Sequence, residues 1–540
     1  MYYYDIMKYR LSILFISVIF IITAFLFYEG TFAQDTVLLG VKVSSREEIS
    51  NRIEGKLLKT DVYHYPIYFN DNNLPYDWQT NTIYIPQDMN NDSFMGKLTT
   101  QYGELIFSDI VETDYSECFF TDEYTGEKNH RTDTYNDKIG IDEYIKHNAL
   151  FNLFLVCDDY YVEYNVIFTG MPVISLTYND YNPESMSWNG NMTLFDPYHK
   201  KNKYISSDCE YHLRGDSTSH ADKKSYEINL SEKKSLVGMR TDDDWALIAM
   251  LGDNGFVHNK LAYELWNEIS ATNENPYDNT VNCEFVEVFY DNTYSGLYLL
   301  CEKIDRKQCK LTEGDYLYRL DELKSEENTL MGYEKQFDFR IKWPKDPSAE
   351  DYKIINDFEY LFYSKDGFDL EKAYEVLNLD NIIDMNLYSM LICGVDNWDA
   401  NCFYIAPKSD NYRISEVMWD MNETFGDNEW FDYTVEYETS PDMMIPYVKK
   451  IYDADTKKMS SYMYTRWKEL RRNVIDKEEI KDKIKGMEEY LYNSGAITRE
   501  SDKWLCYLKP EWRYDNIYGF IDNRIEYLDY FFESEYINNK

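Results

Sequence analysis

The chain lacks the basic excess that a general nucleic-acid binder needs. Against 97 Asp and Glu stand 55 Lys and Arg, for a formal net charge of −42. No surplus of cations is left to neutralise phosphates, and attachment to anionic lipid through surface charge is disfavoured for the same reason. Zinc chemistry is poorly supplied too. The nine cysteines, at 118, 157, 209, 283, 301, 309, 393, 402 and 506, contain no C-x-x-C pair, and the seven histidines no H-E-x-x-H. These absences disfavour a structural zinc site and a zinc hydrolase. An odd cysteine count leaves at least one thiol without an internal partner, and the spacing predicts no pairing. No internal repeat or low-complexity block stands out.

What is there is a globular composition, 44% hydrophobic and 28% charged over 540 residues, long enough for two domains. The acidic surface suits metal ions or basic protein segments as partners. Tyrosine is abundant, with 53 residues, which fits a glycan-binding surface and ordinary strands alike. Lys8 and Arg10 precede an apolar run from Leu11 to Tyr28, broken only by Ser12, Ser17 and Thr23. A positive flank before such a core reads as a signal peptide or signal anchor over residues 1–33. The expectation is an extracytoplasmic chain, secreted or held to a membrane by this segment alone.

Residues 34–168 read as a smaller, mainly β domain. Strand patterns lie at Tyr63 to Phe69, Thr82 to Ile85, Gly103 to Phe107, Leu153 to Val156 and Tyr160 to Phe168. Thr121 to Asn148 is polar enough to be a long loop with one helical turn. Residues 169–535 form the second domain. It opens with Pro172-Val173-Ile174-Ser175-Leu176, followed by strands at Glu210 to Gly215 and Lys223 to Leu230. A helix at Asn259 to Ile269 precedes a hairpin from Phe285 to Tyr290 and Gly296 to Glu302. Asp380 is a candidate N-cap for a helix from Asn381 to Cys393, with Ile383, Leu387, Met390 and Leu391 on one face and Gly394 ending it. Hairpin strands at Cys402 to Ala406 and Tyr412 to Trp419 follow, and the chain from about Lys457 is helical.

The chemistry concentrates between Asp396 and Gly426. Asp396 and Asn401 stand in D-x-x-x-x-N spacing, and a hairpin leads to Asp420 and then Phe425-Gly426. In phosphoryl transfer one Asp orients the attacking hydroxyl, while an Asn and a second Asp hold magnesium against nucleotide phosphates. Asp399 is a rival for the first role. Upstream, Arg214-Gly215-Asp216-Ser217-Thr218 is a small-residue turn whose backbone N–H groups can approach phosphate. The following strand offers Lys223 and Lys224 as a point charge. Alternation puts Lys224 on one face with Tyr226, Ile228 and Leu230, and Lys223 on the other with Ser225, which leaves open which one reaches the nucleotide. Glu302, at the end of its strand, suits a hinge beside adenine and an ordinary strand-end position equally, and Glu264 is a candidate partner for the strand Lys.

Taken in order, these segments, together with Met171 to Leu176, Gly296-Leu297-Tyr298 and Trp419-Asp420, resemble the CotH spore-coat kinase family over about residues 170–535. The resemblance implies an atypical protein-kinase-like domain there, so that with the smaller β domain before it the chain is expected to be α+β. It implies transfer from ATP, with Mg²⁺ or Mn²⁺, to Ser or Thr of surface or spore-coat-type proteins. Carried over by position, Asp396 is catalytic together with Lys223 or Lys224, Arg214, Ser217 and Glu302 face the nucleotide, and Asn401 and Asp420 bind metal. The protein substrate expected from the net charge is basic and Ser-rich, with no nucleic-acid partner. Two positions depart from the family pattern. Asp216 stands where the turn usually carries Asn, and Asn422 where a second acid often follows the metal Asp. They favour the alternative, a non-catalytic kinase-like surface or assembly protein that binds a protein or glycan.

Overall fold

The computed structural model describes residues 36–540, apart from 62–63, 91–95, 116–128, 184–185, 200–202, 216–219, 274–276, 278, 322–337, 365–366, 399, 427–443 and 505–513. The apolar run Leu11 to Tyr28 lies outside the described residues. The expected membrane attachment needs correction: among the described residues no helix is long and apolar enough to cross a membrane. The physical reason is visible in the longer helices. Lys477–Asn493, for example, buries only Ile480, Ile484, Met487 and Leu491 and turns its charged side to water. The secreted or anchored location expected from the same run has no described element behind it.

Alternation over Leu150–Val156 sends Phe151, Leu153 and Leu155 into one core and Asn152 and Phe154 to the other side, the period of a pleated strand. This strand lies between Glu104–Tyr115 and Tyr160–Thr169 in a nine-stranded mixed sheet, and Thr82–Pro86 runs parallel beside the last of these. The polar stretch expected as a loop holds a strand, Asn129–Thr134, as well as the helix Ile141–Lys146. That strand carries no apolar alternation because it lies at the side of the sheet, paired with Glu104–Tyr115, where backbone bonds hold it without core burial.

The sheet's last strand ends at Thr169, and Val173 begins a closed seven-stranded barrel. Its strands run in the order Val173–Asn182, Ser187–Phe195, Tyr204–Arg214, Ser225–Ser235, Thr241–Ile248, Thr293–Glu302 and Cys283–Tyr290, the last closing in parallel against the first. Leu176, Met192, Tyr211, Trp245, Val286 and Leu300 fill the interior and are fully buried. Helix His258–Ser270 packs outside, with Leu261, Leu265 and Ile269 inward.

From residue 349 onward the chain is mainly helical, so the whole is α+β, with β structure concentrated before residue 343. Helix Leu379–Ile392 is the centre of this part. It buries every side chain from Asn381 to Ile392 and not one face, as a helix surrounded by others must. Its polar groups are matched accordingly. Asp384 takes Arg466 Nε at 2.7 Å, Asn386 Oδ1 accepts from Ile445 N–H at 2.9 Å, and Asn381 Oδ1 accepts from Glu416 N–H at 2.8 Å. Asn378, not Asp380, caps the helix. Cys393, at φ 54°, turns the chain out of it. A small sheet of Asp338–Trp343, Tyr316–Asp321, Cys402–Ala406 and Ser415–Met418 lies against these helices. None of the seven cysteines among the described residues forms a disulfide.

Candidate active site

The loop after helix Leu379–Ile392 makes one 3-10 turn, Val395–Asn397, that carries Asp396. Five residues on, Asn401 enters strand Cys402–Ala406, and its Nδ2 donates to Asp396 Oδ2 at 2.7 Å. The hairpin register pairs Cys402 with Met418, so Trp419 comes back opposite Asn401 and donates its N–H to the Asn401 carbonyl at 2.8 Å. Asn397 Nδ2 ties the Trp419 carbonyl from the other side at 2.7 Å. Hairpin pairing thus brings Asp420 to the Asp396–Asn401 pair across the intervening sequence. Asn401 and Asp420 both adopt left-handed backbone, at φ 52° and 62°. Among residues with a side chain, Asn and Asp tolerate this region best, and such conformations collect at functional sites.

The backbone at Asp420 is held by groups that sequence reasoning missed. Asp420 N–H donates to the Tyr263 hydroxyl at 3.2 Å, and Met421 N–H donates to Asn259 Oδ1 at 2.8 Å. Both partners lie on helix His258–Ser270. Asp253 fixes the start of that helix by accepting from the N–H groups of His258 and Asn259 at 2.9 and 3.0 Å. Asn422, the second departure from the family pattern, stands near Gly252, where a Cβ would come within 3.4 Å of its Nδ2.

From the barrel comes Arg214, the last residue of its strand. Its guanidinium lies 5.3 Å from the centre of the Trp419 ring, and Nη2 is 3.9 Å from Asp420 Oδ2. Arg214 thus meets Asp420 at the end of the hairpin whose other strand begins beside the Asp396–Asn401 pair. Ser217 and Asp399 fall outside the described residues.

Lys223 belongs to a different arrangement. Its Nζ donates to the Leu297 carbonyl at 2.5 Å and to Glu500 Oε1 at 2.6 Å, with the Tyr298 ring 4.7 Å away. Burial lowers its pKa, and the Glu500 carboxylate opposes that shift. Burial likewise raises the pKa of Glu500. Lys224 is half-buried. Glu264, the candidate partner of the strand lysine, pairs instead with Lys260 one helical turn away, at 3.1 Å. Proximity in sequence suggested Glu264, whereas the carboxylate that meets Lys223 comes from 277 residues further on, where no local signal marks it.

Glu302 is almost fully buried. Its Oε1 accepts from Arg240 N–H at 3.2 Å, and its Oε2 accepts from Asn282 N–H and Nδ2 at 3.1 and 2.9 Å. It lies five residues beyond Leu297 on the same strand, about 17 Å by strand rise. It borders a cavity of about 510 Å³ with Met239, Arg240, Glu284 and Lys307. The neighbouring acidic cluster, Asp242 to Asp244, is already occupied by the Lys307 ammonium, which touches all three carboxylates.

Asp396, Asn401 and Asp420 offer only oxygen donors suited to a hard divalent cation. The Asp420 side chain keeps 35% of its surface exposed. The sequence model of a family described as CotH kinase protein matches residues 211–528, more than half of the chain. All the residues assembled here lie inside that stretch, and the N-terminal sheet lies outside it. No curated protein matches the chain.

Proposed function

We propose, from the premise that the chain belongs to the CotH kinase family, that it is an ATP- and divalent-metal-dependent protein kinase acting on Ser or Thr hydroxyls. The observation that carries the reading is the junction of Asp396, Asn401, Asp420 and Arg214 around one hairpin. In this reading Asp396 accepts the hydrogen bond of the acceptor hydroxyl and orients it. Asn401 and Asp420 hold the metal, and Arg214 faces the phosphates from the barrel side. A bound divalent ion neutralises charge on the phosphoryl group. Protein kinases fix their phosphate-side lysine with a glutamate, and the Lys223–Glu500 pair supports Lys223 over Lys224 in that role. The net charge of −42 favours a basic, Ser-rich acceptor segment through steering.

The second reading is a non-catalytic kinase-like assembly protein that binds a protein or glycan. The observation that favours it is the complete enclosure of the Lys223 side chain, which leaves its ammonium no open side in this conformation. Intact mass of the full chain after incubation with Mg-ATP or Mn-ATP and a basic Ser-rich peptide separates the two. The kinase adds one phosphate or more to protein or peptide, and Asp420→Ala abolishes the gain. Without transfer, stabilisation by about 2.7 kcal/mol at a nucleotide concentration 100 times its dissociation constant would assign a nucleotide-binding scaffold. With neither signal the catalytic reading falls.

A further inference from the structure

Helix Ala496–Lys503 carries on consecutive positions two buried charged side chains that reach different parts of the molecule. Arg499 Nε and Nη2 donate to the two Glu287 carboxylate oxygens of the barrel at 2.7 and 2.9 Å. Nη2 also meets Thr169 Oγ1 at 2.8 Å and the Ser494 carbonyl at 2.9 Å, and Nη1 donates to Asn148 Oδ1 at 3.0 Å. Thr169 ends the last strand of the N-terminal sheet, and Asn148 lies just before its central strand. The next residue, Glu500, takes Lys223 Nζ on Oε1 and the Leu297 N–H on Oε2 at 2.7 Å.

This approach explains the glycine in Gly296-Leu297-Tyr298. A Cβ at residue 296 would lie 2.1 Å from Glu500 Oε2, and the backbone there has φ 102°, a conformation that favours glycine. Trp504 Nε1 closes the contact by donating to the Ser295 carbonyl at 3.0 Å. Charged groups so buried persist only when pairing and hydrogen bonds compensate for lost hydration, and here both do.

We infer that Glu500 is the positioning carboxylate of Lys223, and that the N-terminal sheet holds it in place through Asn148, Thr169 and Arg499. A region outside the matched family stretch then governs the reactivity of the lysine and, with it, nucleotide affinity. The nucleotide part rests on the kinase reading; the lysine part does not.

The test uses the full chain with Asn148→Gly and Thr169→Val combined. Gly suits residue 148, where φ is 46°, and Val keeps the shape of Thr while removing its hydroxyl. Two quantities are measured: the rate at which an amine-reactive acylating reagent modifies Lys223, read by peptide mass, and KM for Mg-ATP against kcat with the Ser-rich peptide. Lys223 should be labelled roughly tenfold faster than in the unmodified chain, the scale of losing hydrogen bonds to a charged group, while exposed lysines label at unchanged rates. KM for ATP should rise more than kcat falls. Unchanged labelling of Lys223 overturns the relay. If labelling responds but the unmodified chain transfers no phosphate, the relay stands and the kinase reading falls. Lys223→Met with Glu500→Met replaces the pair by apolar side chains that a core accepts. A folded double variant with an unaltered KM for ATP would remove the lysine from nucleotide binding, and its positioning by Glu500 with it.

Discussion

Two ion pairs stand where the barrel meets the helical part, and they differ in almost every respect except the charges involved. Lys223 and Glu500 are 2.6 Å apart, with 0% and 3% of their side chains exposed; Arg214 and Asp420 are 3.9 Å apart, with 12% and 35% exposed. In the first pair, mutual attraction and hydrogen bonds must offset the loss of hydration, and neither partner can leave without stranding the other. In the second, the carboxylate is partly exposed to water and can change partners at small cost. The closed pair fixes geometry, and the open one leaves its carboxylate able to change partners.

The sharpest way to break this contrast is to remove one carboxylate from each pair. Glu500→Ala should lower unfolding free energy by about 3–5 kcal/mol, as for other buried pairs left with one charge. Asp420→Asn should cost less than about 1 kcal/mol, because the pair is loose and Asn also tolerates left-handed backbone. Urea titrations of both variants decide it, and equal losses would erase the distinction between the two sites.

A third carboxylate extends the comparison, sealed like Glu500 but, among the described residues, with no cation paired to it. Glu416 is fully buried on the strand that leads to Asp420, facing the Tyr447 hydroxyl, the Cys402 thiol and Tyr404. Burial pushes its pKa up to about 7 from an ordinary value of 4.5. Over that interval the native state binds more protons than the unfolded chain, so this group's contribution to stability falls as pH rises from 4.5 through 7. The fall amounts to about 3 kcal/mol, because holding a proton through each further pH unit is worth about 1.4 kcal/mol. The stability of the unmodified chain relative to Glu416→Gln should therefore decline between about pH 5 and 8; a difference that does not vary with pH would refute the assignment.

The smallest effect belongs to Glu264. Its pairing with Lys260 is a one-turn helix contact with a third of the carboxylate side chain exposed, so Glu264→Gln should change stability by about 0.5 kcal/mol or less. The labelling rate of Lys223 should not move. A large change in that rate would reinstate Glu264 as the partner of the lysine.

Much of the local structure was legible. Strand Cys402–Ala406 lies where the sequence put the first strand of its hairpin, and helix His258–Ser270 extends the predicted Asn259 to Ile269 by one residue at each end. The D-x-x-x-x-N spacing pointed to the hydrogen-bonded pair Asp396 and Asn401. The strand Asn129–Thr134 was not legible, because a polar strand at the side of a sheet has no apolar period to betray it. Nor was the all-round burial of Leu379–Ile392, whose Asp384, Asn386 and Asn381 look solvent-facing until Arg466, Ile445 and Glu416 arrive to satisfy them.

By itself the sequence determined what depends on neighbours along the chain: the order of strands and helices in the second region, the hairpin that returns Asp420 towards Asn401, and the acidic balance that excludes a general nucleic-acid binder. Tertiary structure alone decided that Lys223 meets Glu500 and not Glu264, that Glu302 is committed to Arg240 and Asn282, and that the N-terminal sheet reaches the lysine through Arg499. The reason is physical. Periodicity and turn chemistry act over a few residues, whereas a buried charge takes whichever partner folding brings within hydrogen-bond distance, here from 277 residues away.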